Sequence, residues 1–273
     1  MRARIWGCRG SLATPGADTV GYGGNTTCVE LRTGAGGLIV LDAGTGVRKL
    51  GLALEPDHPR SVHLLLTHMH LDHVEGLGFF APLFVEGCTV TIWGPRPDDR
   101  PLRDHLRSYL SPTLFPVPFD RFPSKIEVVE VSDETSDMDG VQITAGHVTH
   151  PGTTLGYRIS ENGSSFAFIP DNEPGVDARP ALALAEGANV LVHAAQYTAR
   201  EYETRVGWGH ASLPDFAAFV RDADPGRTVM FHHDPSHDDR ALEQMELDAR
   251  DLAGRDSISL AREGDVIEVG AIV

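Results

Sequence analysis

Cysteine is scarce: Cys8, Cys28 and Cys88 are the only three in 273 residues. They are odd in number, widely separated and form no CxxC pair, so they supply neither a disulfide framework nor a cysteine-based zinc site. The set suits a reducing compartment. Positive charge is also short. Lys and Arg total 23 against 39 Asp and Glu, a formal net charge of −16. A chain this acidic repels long polyanions, whose capture depends on Lys and Arg neutralising phosphates, so extended RNA or DNA is not an expected partner. No run approaches the roughly 18 apolar residues of a membrane span. No apolar segment follows the two arginines of Met1-Arg2-Ala3-Arg4 either, so no leader is expected and the cytoplasm is the expected location. Linkers, low-complexity tracts and internal repeats are missing as well, which leaves residues 1–273 as one domain.

What is present is a core. Hydrophobic residues make up 41% of the chain, arranged in short apolar runs rich in β-formers and bounded by Gly, Pro or Asp. Strands are expected over 3–6, 27–32, 38–41, 62–66, 89–93, 126–131, 141–145, 154–159, 165–169, 190–193, 228–231 and 266–269. Helices are expected over 98–110, 178–186, 213–221 and 238–252, the third after Ser212 as N-cap. Many strands with helices spread among them indicate an α/β domain of two sheets between helical layers. Residues 112–123 hold four prolines with Phe115, Phe119 and Phe122 between them. They read as a packed surface loop, with a lid over a cleft as the alternative.

The strongest signal is Thr67-His68-Met69-His70-Leu71-Asp72-His73, directly after the apolar run 62–66. On extended chain, residues two apart project to the same side, so His68 and His70 can chelate one ion. Asp72 and His73 follow where the chain turns and can reach a second ion beside the first. Imidazole nitrogens with a carboxylate oxygen suit Zn²⁺, with Mn²⁺ or another borderline divalent ion as the alternative. Four ligand-type residues within six positions argue against an incidental histidine-rich turn.

This HxHxDH run resembles the hallmark of the metallo-β-lactamase-fold superfamily, and the resemblance extends over most of the chain. It implies a four-layer αββα sandwich holding two divalent ions. His150, in Val148-Thr149-His150-Pro151-Gly152, fits the superfamily's third histidine. Asp171, in Phe168-Ile169-Pro170-Asp171-Asn172-Glu173, fits the aspartate shared by both ions. His232, in Phe231-His232-His233-Asp234, fits the last ligand. The implied set is His68, His70 and His150 for one ion and Asp72, His73 and His232 for the other, bridged by Asp171. His233 adjoins His232, and the sequence leaves open which of the two faces the metal, although the strand end favours His232. His147 reads as a satisfied neighbour, His63 as a core histidine, and His58 and His105 as surface residues. His193 reads as an outer residue of the site. Similar proteins usually carry a carboxylate next, where this chain has Ala194, so one outer hydrogen bond is in doubt.

Gly207-Trp208-Gly209-His210-Ala211-Ser212 is similar to the histidine-plus-hydroxyl motif of ribonuclease Z and related phosphodiesterases. The resemblance implies that His210 contacts the scissile phosphate, either stabilising charge in the transition state or protonating the leaving alkoxide, and that Ser212 contacts substrate. A helix-capping turn with an incidental histidine is the plain alternative. The N-terminal segments Trp6–Ser11, Tyr22–Thr27 and Leu41–Gly46 resemble small members of the same branch. They imply an outer role for Asp42 behind a ligand histidine, and substrate-phosphate contacts near Gly23, Gly24 and Asn25, unless those glycines merely serve a turn.

Asp72 is expected both to bind metal and to accept the proton of an attacking water. Full ribonuclease Z inserts a long tRNA-gripping arm between the third histidine and the shared aspartate. Here His150 and Asp171 are 21 positions apart and the interval reads as one hairpin. With the charge of −16, this favours a small phosphodiester, a cyclic nucleotide first, over tRNA. Hydrolysis of a carboxylic ester, thioester or lactam on the same core is the second reading, and a metal-stabilised sensor without catalysis the third. A homodimer is compatible with the sequence.

Overall fold

Strands buried on both faces read as near-continuous apolar runs, as parallel sheets require, and the runs of this chain assemble in that way. The computed structural model describes residues 1–54 and 59–270. Its strands are β1 (Arg2–Gly7), β2 (Cys28–Arg32), β3 (Leu38–Leu41), β4 (Ser61–Leu65), β5 (Thr89–Pro95), β6 (Lys125–Val131), β7 (Glu134–Met138), β8 (Val141–His147), β9 (Leu155–Glu161), β10 (Ser164–Ile169), β11 (Val190–Ala194), β12 (Arg227–Phe231), β13 (Ile258–Leu260) and β14 (Val266–Glu268). They form two seven-stranded sheets, ordered β14-β1-β2-β3-β4-β5-β6 and β13-β12-β11-β10-β9-β8-β7. In the first, β3 through β6 run parallel; in the second, β10 through β13 do.

The helices are α1 (Gly46–Ala53), α2 (Leu71–Val74), α3 (Leu102–Tyr109), α4 (Arg179–Ala185), α5 (Ala199–Tyr202), α6 (Leu213–Ala223) and α7 (Asp239–Ala253). Alternating side chains divide each sheet between two cores. Ile5, Leu31 and Leu41 of the first sheet meet Tyr157, Phe168 and Phe231 of the second in the central core. Val40, Leu64 and Ile92 face α1 and α3 on one outside, while Ile169, Leu191 and Met230 face α4, α6 and α7 on the other. The result is the four-layer αββα sandwich expected from the sequence.

Two strands escape a hydrophobic reading. β7 is Glu-Thr-Ser-Asp-Met, a polar edge strand paired to β8 alone among the described residues, and β13 has three residues. Helix α1 is hidden by Gly46 and Gly51, which lower helix propensity; Gly51 lets the helix approach Ala81. Helix α3 starts at Leu102 rather than at 98, because Pro101 sits at its N-cap.

His63 is not a core histidine. It lies half-buried on β4, where its Nδ1 accepts from Trp93 Nε1 at 3.1 Å and Asp139 stands 3.8 Å from its Nε2. His105 is held by Asp99 at 2.7 Å, and the expectation for His58 lies outside the described residues. In the proline-rich loop Phe119 and Phe122 are buried and Phe115 packs on Gly78, so the loop is packed against the outer core. The three cysteines are free and buried. Among the described residues no helix is long and apolar enough to cross a membrane.

Candidate metal centre

The carboxyl ends of parallel strands are where open α/β sheets place ligands, and here both sheets end on one cleft. β4 delivers Thr67–His73, β10 delivers Asp171, β12 delivers His232, and the chain after β8 delivers His150. One potential ligand atom each from His68, His70, His150 and Asp171 lies within 4.8 Å of the others, and the same holds for Asp72, His73 and His232 and for Asp171, His210 and His232. Asp171 stands between the first two groups. Its Oδ2 is 3.6 Å from Nε2 of both His68 and His150 and 3.3 Å from Nε2 of His73, while its Oδ1 is 3.0 Å from His232 Nε2.

Backbone and outer side chains aim the imidazoles. His73 Nδ1 donates to Asp42 Oδ2 at 2.8 Å, and Asp42 also accepts from the backbone and hydroxyl of Thr67. His150 Nδ1 donates to Gly209 O at 2.9 Å, and His232 Nδ1 to Gln196 Oε1 at 2.8 Å. In each case the proton sits on Nδ1 and the Nε2 lone pair turns toward the cluster. Asp42 and His232 reach these positions with φ of 58° and 57°, left-handed values uncommon for non-glycine residues. Gly10 is required here, since a Cβ would lie 2.2 Å from His232 Nδ1. The next residue, Ser11, donates its N–H to Asp72 Oδ2 at 2.7 Å.

These donors fit a pair of divalent cations. Nε2 of His68, Nε2 of His73 and Oδ1 of Asp171 are buried without a hydrogen-bond partner, although carboxylate or imidazole atoms stand close by without bonding alignment. Buried polar atoms without partners are costly, and a pair of cations, one beside His68 and one beside His73 with Asp171 shared, would satisfy all three. Imidazole and carboxylate donors, with no thiolate, are the ligands of Zn²⁺ and similar ions.

The electrostatics agree. Burial, reinforced by the charge on His73, holds His68 well below the ordinary histidine pKa. Burial also opposes charge on His73, yet Asp72, Asp171 and Asp42 around it prevail and raise its pKa far above normal. Against burial, His232 and His73 hold the Asp171 carboxyl well below its usual range. Burial pushes His210 down to about 3, against the pull of Asp171.

The structure brings His68, His70, Asp72, His73, His150, Asp171 and His232 together, and it decides between the adjacent histidines. His232 faces the cluster, whereas His233 turns away and donates to Ala261 O at 2.9 Å. His147 is an exposed neighbour near Asp133. His193 packs on Phe219 behind Asn172, and Gln196, not a carboxylate after His193, supplies the outer bond to His232. His210 is buried, stacks on His232 at 4.9 Å, stands 5.1 Å from the His150 ring, and has its Nδ1 unpartnered.

The cleft is about 270 Å³, lined by Ser11, His70, Leu71, Asp72, Asp171, His210 and His232. The three expected substrate contacts lie elsewhere. Ser212 caps α6: its hydroxyl accepts from Asp215 N–H at 3.2 Å and donates to Asp215 Oδ2 at 2.6 Å. Gly24 and Asn25 line a different cavity of about 540 Å³. Asn25 donates there through backbone and side chain to Glu263, which also pairs with Lys49. None of the three is among the residues that line the cleft.

Sequence reasoning missed Glu173. This carboxylate, two residues after Asp171, is buried and accepts from Gly207 N–H at 2.6 Å, Gly209 N–H at 2.7 Å and Tyr202 OH at 2.7 Å. It thereby fixes the turn that carries His210. Its partners are mainly backbone amides, which leave no mark in a sequence. Gln196 was missed as well: it stands two positions past Ala194, where similar proteins usually carry a carboxylate, and its side chain bonds His232.

Comparison with known proteins follows the same outline. The family model described as Beta-lactamase superfamily domain matches residues 38–233, which include every candidate ligand. Ribonuclease BN of Salmonella gallinarum is 24% identical, with 78% of this chain and 84% of that protein covered. The structure of the short form of human tRNase Z superposes with a TM-score of 0.73 at 18% identity, covering 99% of this chain and 100% of that one. A diphosphatase from the PhnP family superposes with a TM-score of 0.72 at 17% identity, covering 98% of each chain. The two structures share the fold.

Proposed function

This chain belongs to the β-lactamase superfamily and has its metallohydrolase fold, and on that premise we propose that it hydrolyses a small phosphodiester, a cyclic nucleotide first among them. Two divalent ions, Zn²⁺ or Mn²⁺, would be held by His68, His70 and His150 on one side and Asp72, His73 and His232 on the other, with Asp171 shared. Such a pair supplies Lewis acidity, which neutralises phosphoryl charge and makes hydroxide available near neutral pH.

The observation that carries the phosphodiester reading is His210. It is an imidazole held beside the ligand histidines, lining the cleft but bonded to none of its neighbours. The tetrahedral intermediate of an ester or thioester develops charge on one oxygen, which a metal ion can hold, whereas a phosphoryl group develops charge on several oxygens at once and has use for a further donor. Burial keeps His210 neutral, so its part is to donate an N–H to such an oxygen rather than to deliver a full proton. Asp72, whose Oδ2 holds Ser11 N–H and faces His232, borders the cleft; against burial, His73 and His232 hold its carboxyl well below the usual range, so its part is to bind metal and accept a hydrogen bond that orients the attacking water rather than to take the water's proton. Glu173 keeps the His210 turn in register with Asp171 and His150.

A small substrate is favoured over tRNA on two counts. The formal charge is −16, and β9 and β10 form a hairpin closed at Asn162-Gly163, which leaves no arm between His150 and Asp171. The test is turnover of bis(4-nitrophenyl) phosphate, cyclic mononucleotides and a thioester by protein of measured metal content. Turnover of the diesters without the thioester is expected. The reverse preference would refute the reading.

A further inference from the structure

The Glu173-held turn presents a second group besides His210. Trp208 lies between the two clamped glycines, and its side chain is 58% exposed. The other two tryptophans, Trp6 and Trp93, are buried and half-buried. Nothing about the turn is loose. Gly207 and Gly209 are both held by Glu173, Trp208 N–H donates to Arg205 O at 3.0 Å, and Gly209 O accepts from His150. A Cβ on Gly209 would lie 2.0 Å from His150 Nδ1, so the turn is pressed directly against a candidate ligand. An indole left in water on a fixed turn loses the burial that normally retains tryptophan.

Two residues of chain span at most about 7 Å, so the backbone of Trp208 stands within that distance of a residue that lines the cleft. One further apolar side chain lines the same opening, and another is next in sequence to a lining residue. Leu71 lines the cleft and is 65% exposed, and Leu12, next to the lining residue Ser11, is 61% exposed. The Arg205 guanidinium lies 5.9 Å from the indole centroid, near enough for a weak cation–π contact that steadies the ring. The cleft thus has a floor of metal-ligand chemistry for a phosphate and a rim that suits a flat, apolar group.

We propose that Trp208 is the platform on which the planar ring of the substrate stacks, which makes the substrate a nucleoside phosphodiester rather than an aliphatic one. This rests on the phosphodiesterase reading. Glu173 is the positioning residue, setting the distance between the stacked ring and the phosphate at His210.

The experiment uses the metal-loaded full chain, with adenosine 5′-monophosphate and ribose 5-phosphate as probes for the base-bearing and base-free product halves. Binding is measured by calorimetry for the wild type, Trp208→Ala and Trp208→Phe, with cyclic-nucleotide turnover in parallel. Trp208→Ala should weaken adenosine monophosphate about 5- to 100-fold and raise KM for the cyclic nucleotide while kcat holds. Ribose 5-phosphate binding should not change, and Trp208→Phe should restore most of the loss. An equal loss on both probes would make the residue merely structural and overturn the proposal, as would unchanged adenosine monophosphate binding. A dimer that dissociates in Trp208→Ala with nucleotide affinity intact would assign the indole to a second copy of the chain and overturn it too. Failure of the wild type to hydrolyse any phosphodiester would instead remove the reading on which it rests.

Discussion

Replacing His210 with alanine tests the residue on which the phosphodiester reading rests. The imidazole is 8% exposed and stacks 4.9 Å from His232; one of its nitrogens lies within 4.8 Å of ligand atoms of Asp171 and His232, but three other residues serve each ion beside the shared Asp171, so the variant should keep both ions and its fold. The sequence left two roles open, acid and charge stabiliser, and burial of the ring favours the second. Burial lowers the His210 pKa to about 3. A histidine with a depressed pKa is neutral above that value, so at pH 7 only about one molecule in 10⁴ carries the imidazolium. Nearby cations add positive charge and shift it the same way. A neutral imidazole donating to a developing oxyanion is worth about 10²–10³ in kcat. That loss should be the same for 4-nitrophenolate and for a poor alkoxide leaving group, because no proton is delivered. The wild-type rate should also lack an acid limb near pH 6.5 that disappears in the variant. The assay is kcat against leaving-group pKa and against pH for both proteins, with metal content measured. A loss that shrinks toward unity for 4-nitrophenolate would show that His210 works as an acid. An unchanged kcat on every diester would reduce the turn to a helix start.

Ions that bind the folded chain alone stabilise it by mass action, by about 4 kcal/mol at a thousand times Kd. Verified chelation should therefore lower Tm by several degrees, at about 2–4 °C per kcal/mol for a chain of this size, and added Zn²⁺ or Mn²⁺ should restore it; an unmoved Tm would contradict a buried site. Asp171→Ala removes the shared ligand, so metal analysis should find fewer ions and activity should nearly vanish, whereas full activity would exclude the dimetal assignment. Glu173→Gln converts two acceptor oxygens into one plus a donor facing a backbone N–H. It should lower kcat on diesters at least tenfold with metal content intact, and wild-type kinetics in that variant would show that the turn holds itself. Asn25→Ala should change kcat and KM little while reducing stability by about 1 kcal/mol through the lost bond to Glu263; a large kinetic defect would return Asn25 to the substrate site.

The sequence by itself determined the fold class, the frame of twelve of the strands and four of the candidate ligands, the other three following from the superfamily resemblance that those four carry. Apolar runs with turn residues at their ends register directly in composition, and a donor-rich HxHxDH run after such a strand has few other uses. It also determined that His150 and Asp171 are joined by a short hairpin, since 21 positions hold little more. Tertiary structure decided what depends on direction. His232 and His233 are chemically identical neighbours, and a left-handed backbone at residue 232 is what turns one toward the cluster and the other toward Ala261. Ser212 is a hydroxyl either way, and its commitment to Asp215 is visible only where the helix starts. Gly24 and Asn25 sit in a glycine-rich segment that suits an anion, but the segment faces Glu263 instead. Glu173 clamps the His210 turn through backbone amides that every residue but proline possesses, so no residue pattern announces the contact. Ligand identity is carried by side-chain type and spacing, which a sequence displays; orientation, partner choice and burial arise from packing between segments far apart in the chain.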